Sequence, residues 1–303
     1  MSILTVSNIS KNYGFVRALN NVSFEVPKGS VFGILGPNGS GKTTLLGIVM
    51  DILKPTSGKY LWMGQPGSEE QRKHIGTLLE TPNFYHYLSG QRNLEIAAAI
   101  KGRGKEDIAK VLQTVNLFQR KDSKFSSYSL GMKQRLAIAS TLLGNPDILV
   151  FDEPTNGLDP AGIAEIRELI KELNAQGKTI IMASHILDEV EKVCTHLAII
   201  QKGDLKKVST VREVLSDATD TSVLIEMASD NLAGLQQLIS QMPGVMDIQN
   251  TGNMLEVQCS DNVTGMQVNK WCFEKGIILS QLNLKKKSLE KRFLEITGKQ
   301  SDR

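Results

Sequence analysis

With 303 residues, 41% of them hydrophobic and 22% charged, the chain has the balance of a soluble globular protein of one large domain or about two. Its 35 basic and 32 acidic residues leave a net charge of +3, which excludes the strong positive field of an electrostatically driven nucleic-acid binder. No apolar run approaches the roughly 18 residues of a membrane span. Met1-Ser2-Ile3-Leu4-Thr5 lacks the basic and apolar regions of a signal peptide, and Cys194, Cys259 and Cys272 show no disulfide or metal spacing. A cytoplasmic chain with reduced thiols is expected.

The segment from Ile3 to Val26 reads as paired strands, with Leu4 and Val6, then Val22, Phe24 and Val26, at period two. Val31-Phe32-Gly33-Ile34-Leu35 is a continuous apolar run of the kind that a strand buried on both faces requires. Gly36-Pro37-Asn38-Gly39-Ser40-Gly41-Lys42-Thr43 follows, the P-loop pattern G-x-x-x-x-G-K-[ST], and from Thr44 a helical run begins. The glycines let the backbone turn its N–H groups inward as an anion nest. Lys42 supplies a point charge to the β and γ phosphates, the helix N-terminus adds its positive dipole end, and the Thr43 hydroxyl suits Mg²⁺.

Residues 69–145 read as a mostly helical insertion, within which Tyr128-Ser129-Leu130-Gly131-Met132-Lys133-Gln134-Arg135 leads into a helix carrying Leu136, Ala139 and Leu143 on one face. Ile148-Leu149-Val150-Phe151 is a second buried strand. It ends in Asp152, placed to hold Mg²⁺ directly or through water, and Glu153, placed to polarise a water against the γ-phosphate. Asp159-Pro160 is an N-cap followed by proline at the first helical position, with Gly177 as the stop. Thr179–Ala183 is a third buried strand, and His185 stands just beyond it. Three strands thus deliver polar residues at their carboxyl ends, the edge where open parallel sheets bind ligands.

From Ser209 to Ala218 the chain turns polar and linker-like. Beyond it the order strand, helix, strand, strand, helix, strand suggests a small split βαβ domain whose last strand is Ile277-Ile278-Leu279. Lys285-Lys286-Lys287 reads as a solvated edge.

Residues 1 to about 208 resemble the nucleotide-binding domain of ABC transporters. The P-loop is Gly36–Thr43, the signature motif Ser129–Arg135, Walker B Ile148–Asp152 with Glu153, the D-loop Asn156-Gly157-Leu158-Asp159, the switch histidine His185, and Tyr13 matches the aromatic that stacks on adenine. The signature departs from the family's usual Leu-Ser-Gly-Gly-Gln, because Met132 cannot hydrogen-bond as Gln would, but Ser129 and Gly131 remain. Where the family normally has Gln, this chain has Glu80. Such a Glu with this style of signature resembles ATPases of bacitracin-resistance and lantibiotic-immunity exporters, and the C-terminal region, ending in Ser288–Ile296, resembles the accessory domain of that branch.

The resemblance implies an α/β fold: a P-loop ABC-type domain over residues 1–208 with a mixed sheet and a helical insertion, a linker at 209–220 and a small α+β domain at 221–303. It implies ATP and Mg²⁺ as cofactors, with Gly36–Gly41, Lys42, Thr43 and Thr44 on the phosphates, Thr43, Asp152 and Glu80 toward the metal, and Glu153, His185 and Lys42 in hydrolysis. It also implies a second ATP-binding subunit, an integral membrane permease, no nucleic acid, and a place at the cytoplasmic face of the cell membrane. A soluble ABC-type ATPase acting on ribosomes or DNA is the alternative. Such proteins resemble two fused ATPase domains or carry long coiled-coil insertions, whereas this chain has a single P-loop and no sustained heptads. A small-molecule phosphotransferase would not carry a signature before Walker B.

Overall fold

The computed structural model describes residues 1–79, 84–216, 222–260, 262–285 and 289–298. By contacts the chain divides into two units, Met1–Arg212 with Phe293–Arg303, and Glu213–Arg292. The first begins with β1 (Ser2–Tyr13) and β2 (Val16–Pro27), an antiparallel hairpin whose Leu4, Val6, Val22, Phe24 and Val26 are buried, as their alternation predicts. β3 (Val31–Leu35) is buried at every position. After the P-loop comes α1 (Lys42–Val49), and β4 (Ser57–Trp62) with the short β5 (Gln65–Pro66) extends the hairpin side of the sheet. Trp62, fully buried, donates its Nε1–H to the Val49 carbonyl at 2.9 Å and so ties the end of α1 to β4.

After α2 (Glu69–Lys73), the chain returns to the core sheet as β6 (Ile75–Leu78). This strand lies within residues 69–145, the stretch expected to be mostly helical. Ile75-Gly76-Thr77-Leu78 is too short to show a period, so only its parallel neighbour reveals it as a strand. The helices are α3 (Gly90–Lys101), α4 (Ile108–Thr114) and α5 (Leu130–Leu142). Asn93 on α3, 2% exposed, accepts from the Tyr85 N–H (2.8 Å) and donates to the carbonyls of Tyr85 (3.1 Å) and Ser89 (3.0 Å), fixing the segment that leads into the helix.

Lys101 closes α3 by donating to the carbonyls of Ser140 (2.7 Å) and Thr141 (3.4 Å), which α5 leaves unpaired at its end. Burial, helped by the Arg103 charge, pushes its ammonium down to about 8 from an ordinary 10.5. The unfolded chain therefore binds more protons there than the folded one, and this contribution to stability rises with pH between about 8 and 10.5 and is lost as pH falls through about 8. In thermal melts, the wild-type minus Lys101→Met difference in Tm should climb over that window. A flat difference would show that Lys101 is not desolvated.

The chain continues through β7 (Ile148–Asp152), α6 (Pro160–Ala175), β8 (Thr179–Ser184), α7 (Leu187–Val193), β9 (His196–Gln201) and β10 (Asp204–Thr210). α6 starts as its sequence requires, with the Asp159 carboxylate accepting from the Gly162 N–H at 2.9 Å and Pro160 in the first turn. The ten strands run β5-β4-β1-β2-β10-β9-β3-β8-β7-β6. From β9 to β6 all neighbours are parallel, so the ends of β3, β7 and β8 bring the P-loop, Asp152–Glu153 and His185 to one edge. The stretch from Ser209, linker-like in composition, instead finishes β10 and forms α8 (Val211–Ser216).

The second unit holds β11 (Ser222–Ala228), α9 (Leu232–Ile239), β12 (Val245–Asn250), β13 (Leu255–Ser260), α10 (Gly265–Glu274) and β14 (Gln281–Lys285). Its sheet is antiparallel in the order β12-β13-β11-β14, over a core that includes Ile225, Met227, Leu235, Ile239, Val257 and Val268. The final strand is Gln281–Lys285 rather than Ile277–Leu279. The Ile277 amide donates to the Cys272 carbonyl (2.9 Å) in the cap of α10, whereas Leu282 and Leu284 stand opposite Met227 and Ile225 in the ladder. α11 (Leu289–Thr297) is the last described helix. All three cysteines are buried and free, and burial raises each thiol.

Candidate active site

The P-loop is built by what it cannot contain. A Cβ at Gly36 would collide with the Ile200 carbonyl, and Gly41 sits at φ +106, a left-handed value with the Ala18 carbonyl close behind it. The loop is thereby pressed against β2 and β9, and the Gly203 N–H donates to the Ser40 carbonyl at 3.0 Å. Asn38 and Gly39 form its exposed tip, with Pro37 half-buried and Ser40 buried. Lys42 opens α1, and beyond it Thr43 is exposed and Thr44 half-buried on the first turn.

Lys42 is 5% exposed and fully engaged. Its Nζ donates to the carbonyls of Gly36 (2.8 Å) and Pro37 (3.2 Å) and lies 3.3 Å from Oε1 of Glu153. The other carboxylate oxygen, Oε2, accepts from Nδ1 of His185 at 2.8 Å and from the His185 backbone N–H at 3.4 Å. A carboxylate only accepts, so Nδ1 carries the proton. Glu153 adopts φ +48, an uncommon conformation for a residue with a side chain, and its N–H donates to the Ala183 carbonyl at 3.0 Å. This left-handed turn directs the carboxylate back across the sheet edge, between Lys42 and His185. Asp152, 7% exposed, ends β7 opposite Ala183.

The sequence singles out all three of these residues but not their contacts. The Lys42–Glu153 pair spans 111 positions, and no spacing rule couples a P-loop lysine to a strand-end carboxylate. Nor does a pattern foretell the ammonium of Lys11, 5.0 Å over the Tyr13 ring. Tyr13 ends β1 and is 46% exposed, leaving ring surface for stacking. Glu80 lies outside the described residues.

Ser129 and Gly131 stand apart from this cluster. Ser129 caps α5, its Oγ accepting from the Met132 N–H at 3.2 Å, and it is exposed, as is Leu130 at 54%. Nothing would meet a Cβ at Gly131, so another surface can approach it closely. Leu130 lies beside Gly157 in the loop before α6. Among the described residues no hydrogen bond or ion pair joins Ser129 or Gly131 to the P-loop. One chain therefore carries two separate groups of candidate residues: the P-loop with the Glu153–His185 pair, and the exposed N-terminus of α5 at Ser129.

Known proteins resemble this chain in sequence and in fold. The family described as ABC transporter matches residues 19–156. The uncharacterized ABC transporter ATP-binding protein YhcH of Bacillus subtilis is 38% identical over 98% of this chain and 96% of its own length. The bacitracin transport ATP-binding protein BcrA of Enterococcus faecalis is 31% identical over 98% of this chain and 96% of its own. Among solved structures, the dimeric post-hydrolysis state of the ATP-binding cassette MJ0796, bound to ADP and Pi, is similar with a TM-score of 0.62 and 26% identity over 69% of this chain and 99% of that one. Since the likeness runs nearly end to end with two such subunits, this chain belongs to the ABC transporter family, as an ATP-binding subunit and an ATPase.

Proposed function

We propose that this chain powers an exporter of peptide antibiotics, as one of two ATP-binding subunits that close on ATP and drive a separate membrane permease from the cytoplasmic face. The observation that carries the reading is the Lys42–Glu153–His185 cluster at the P-loop, in a chain whose Ser129–Gly131 half-site lies elsewhere and is exposed. Two copies, or this chain and a related one, would complete each other, with the P-loop of one facing the signature of its partner. The bacitracin relative supports the cargo class. No helix among the described residues is long and apolar enough to cross a membrane, which fits a permease on another chain.

In this reading Tyr13 stacks on adenine. The backbone of Gly36, Pro37, Asn38, Gly39, Ser40 and Gly41, with Lys42 and Thr44, holds the phosphates. Among the described residues no cluster of three or more His, Cys, Asp or Glu forms a self-sufficient metal cage. The hydroxyl of Thr43 and the carboxylate of Asp152, with Glu80, are instead the sparse, hard-oxygen set that Mg²⁺ accepts when phosphates supply further ligands. Bound there, Mg²⁺ neutralises charge on the phosphate oxygens. Glu153 takes the proton of the attacking water, His185 holds that carboxylate in place, and Lys42 turns from Glu153 to the transferred charge. Ser129 and Gly131 of the opposite subunit close over the γ-phosphate.

The test is to isolate the chain from membranes with its partner and reconstitute both in lipid vesicles. ATP hydrolysis should rise with the permease present and rise again with a peptide antibiotic inside the lumen-accessible path. Stimulation by RNA or DNA, with no membrane partner recovered, would overturn the exporter reading in favour of a soluble ATPase.

A further inference from the structure

Glu189 is 2% exposed, on a helix of only seven residues, and the function described so far gives it no role. Its Oε1 accepts from Nη2 of Arg167 on α6 at 2.6 Å, with side-chain exposures of 19% for Arg167 and 3% for Glu189. Of the other ion pairs on these two helices, Lys171–Glu168 at 44% and 64% and Lys192–Asp188 at 47% and 61% are open to solvent, and Arg135–Glu165 has its carboxylate exposed at 55%. Pairs of that kind contribute little. A pair with a buried carboxylate and a half-buried guanidinium is different, because desolvation offsets much of the attraction, and an apolar pair of the same volume would hold the helices as well. Its distinctive property is a fixed direction and length between two particular side chains.

The two helices it joins are the ones that follow the Asn156–Asp159 loop and His185. α6 begins directly after the loop Asn156–Asp159, whose Gly157 lies beside Leu130 of the signature. α7 begins two residues after His185, and Glu189 is four residues from that histidine. On its other side α7 is seated under β3, where Val190 and Cys194 fill the space beside Gly33. α7 thus has two supports, an apolar one against the sheet and a charged one against α6.

We propose that the Arg167–Glu189 ion pair is a positioning device, which ties the helix behind the Asn156–Asp159 loop to the helix behind His185 and so keeps the imidazole on Glu153 while that carboxylate works. Neither Arg167 nor Glu189 touches the P-loop, so the pair acts on turnover and leaves nucleotide capture alone. Because Asn156–Asp159 adjoins the signature, which serves the opposite subunit's nucleotide, the same tie makes each site responsive to the state of the other. The inference rests on the roles given above to Glu153 and His185.

The test compares wild type, Glu189→Gln and the double variant Arg167→Leu/Glu189→Leu, each assembled with its membrane partner, for kcat, KM, ATP affinity, the Hill coefficient and Tm. Glu189→Gln should lower kcat about 10-fold or more, on the scale by which small misplacements of reacting groups slow enzymes. ATP affinity should hold within about 2-fold, and the Hill coefficient should fall toward about 1. The double variant leaves no unpaired buried charge and keeps the fold falsifiable. It should melt near the wild-type Tm and still show the kcat loss. A folded double variant with wild-type kcat and Hill coefficient overturns the positioning role. A wild-type complex without ATP hydrolysis would instead overturn the reading of Glu153 and His185 on which the inference stands.

Discussion

Glu153→Gln is expected to lower ATP turnover by roughly 10²–10⁴-fold, the share that a positioned general base supplies, while ATP binding persists. The amide has nearly the carboxylate's shape, so the left-handed turn at φ +48 and the reach to His185 are kept. What it lacks is the charge that accepts a proton from water, and equally the charge that now engages Lys42 at 3.3 Å. With that competitor gone, Lys42 is freer to meet phosphate, so ATP affinity should stay level or tighten. The variant should collect as an ATP-bound dimer on gel filtration. Turnover at the wild-type rate would remove Glu153 from the chemistry.

Lys42→Ala should act in the opposite sense, on capture. Its ammonium donates to the P-loop carbonyls of Gly36 and Pro37, and a charge-assisted hydrogen bond of about 1.5–3 kcal/mol corresponds to roughly 10–100-fold in affinity. Titration with a fluorescent ATP analogue should show a loss of at least that size. Circular dichroism should stay unchanged, because Gly36 and Gly41 are held by contacts with β9 and β2 that do not involve Lys42. Unaltered affinity in a folded variant would take Lys42 out of the phosphate site.

What the sequence made legible follows from how each signal arises. The P-loop, the strand-end Asp152–Glu153 and the Asp159–Pro160 helix start are local patterns, in which a few neighbouring residues solve one steric or capping problem, and they can be read in order along the chain. β3, β7 and β8 were legible because burial on both faces demands an unbroken apolar run. Ile75–Leu78 was not, since four residues of sheet edge inside helical surroundings carry no period. Ile277–Leu279 misled for the converse reason: three apolar residues looked like a ladder, yet the Ile277 amide was already committed to capping α10. The site's contacts were the least legible part. Lys42–Glu153 and Arg167–Glu189 are facts of three dimensions, and each partner on its own reads as one more charged side chain.

The engagement of Lys42 with Glu153 has a consequence for which anions the empty enzyme retains. In a cell the P-loop meets orthophosphate, pyrophosphate and diphosphates as well as ATP, and each must displace an internal carboxylate before it can have the ammonium. A lone phosphate offers few contacts to set against that displacement, whereas a nucleotide brings a base, a sugar and a chain of phosphates, and in the reading proposed above its adenine would meet Tyr13. The internal pair therefore works as a threshold: its displacement lowers the affinity of every anion by the same factor, so a small anion with few other contacts falls below useful retention while ATP stays bound, and after cleavage it favours departure of the released phosphate as Glu153 recovers its cation. Selectivity and product clearance would then share one origin, a carboxylate that occupies the phosphate's place between turnovers.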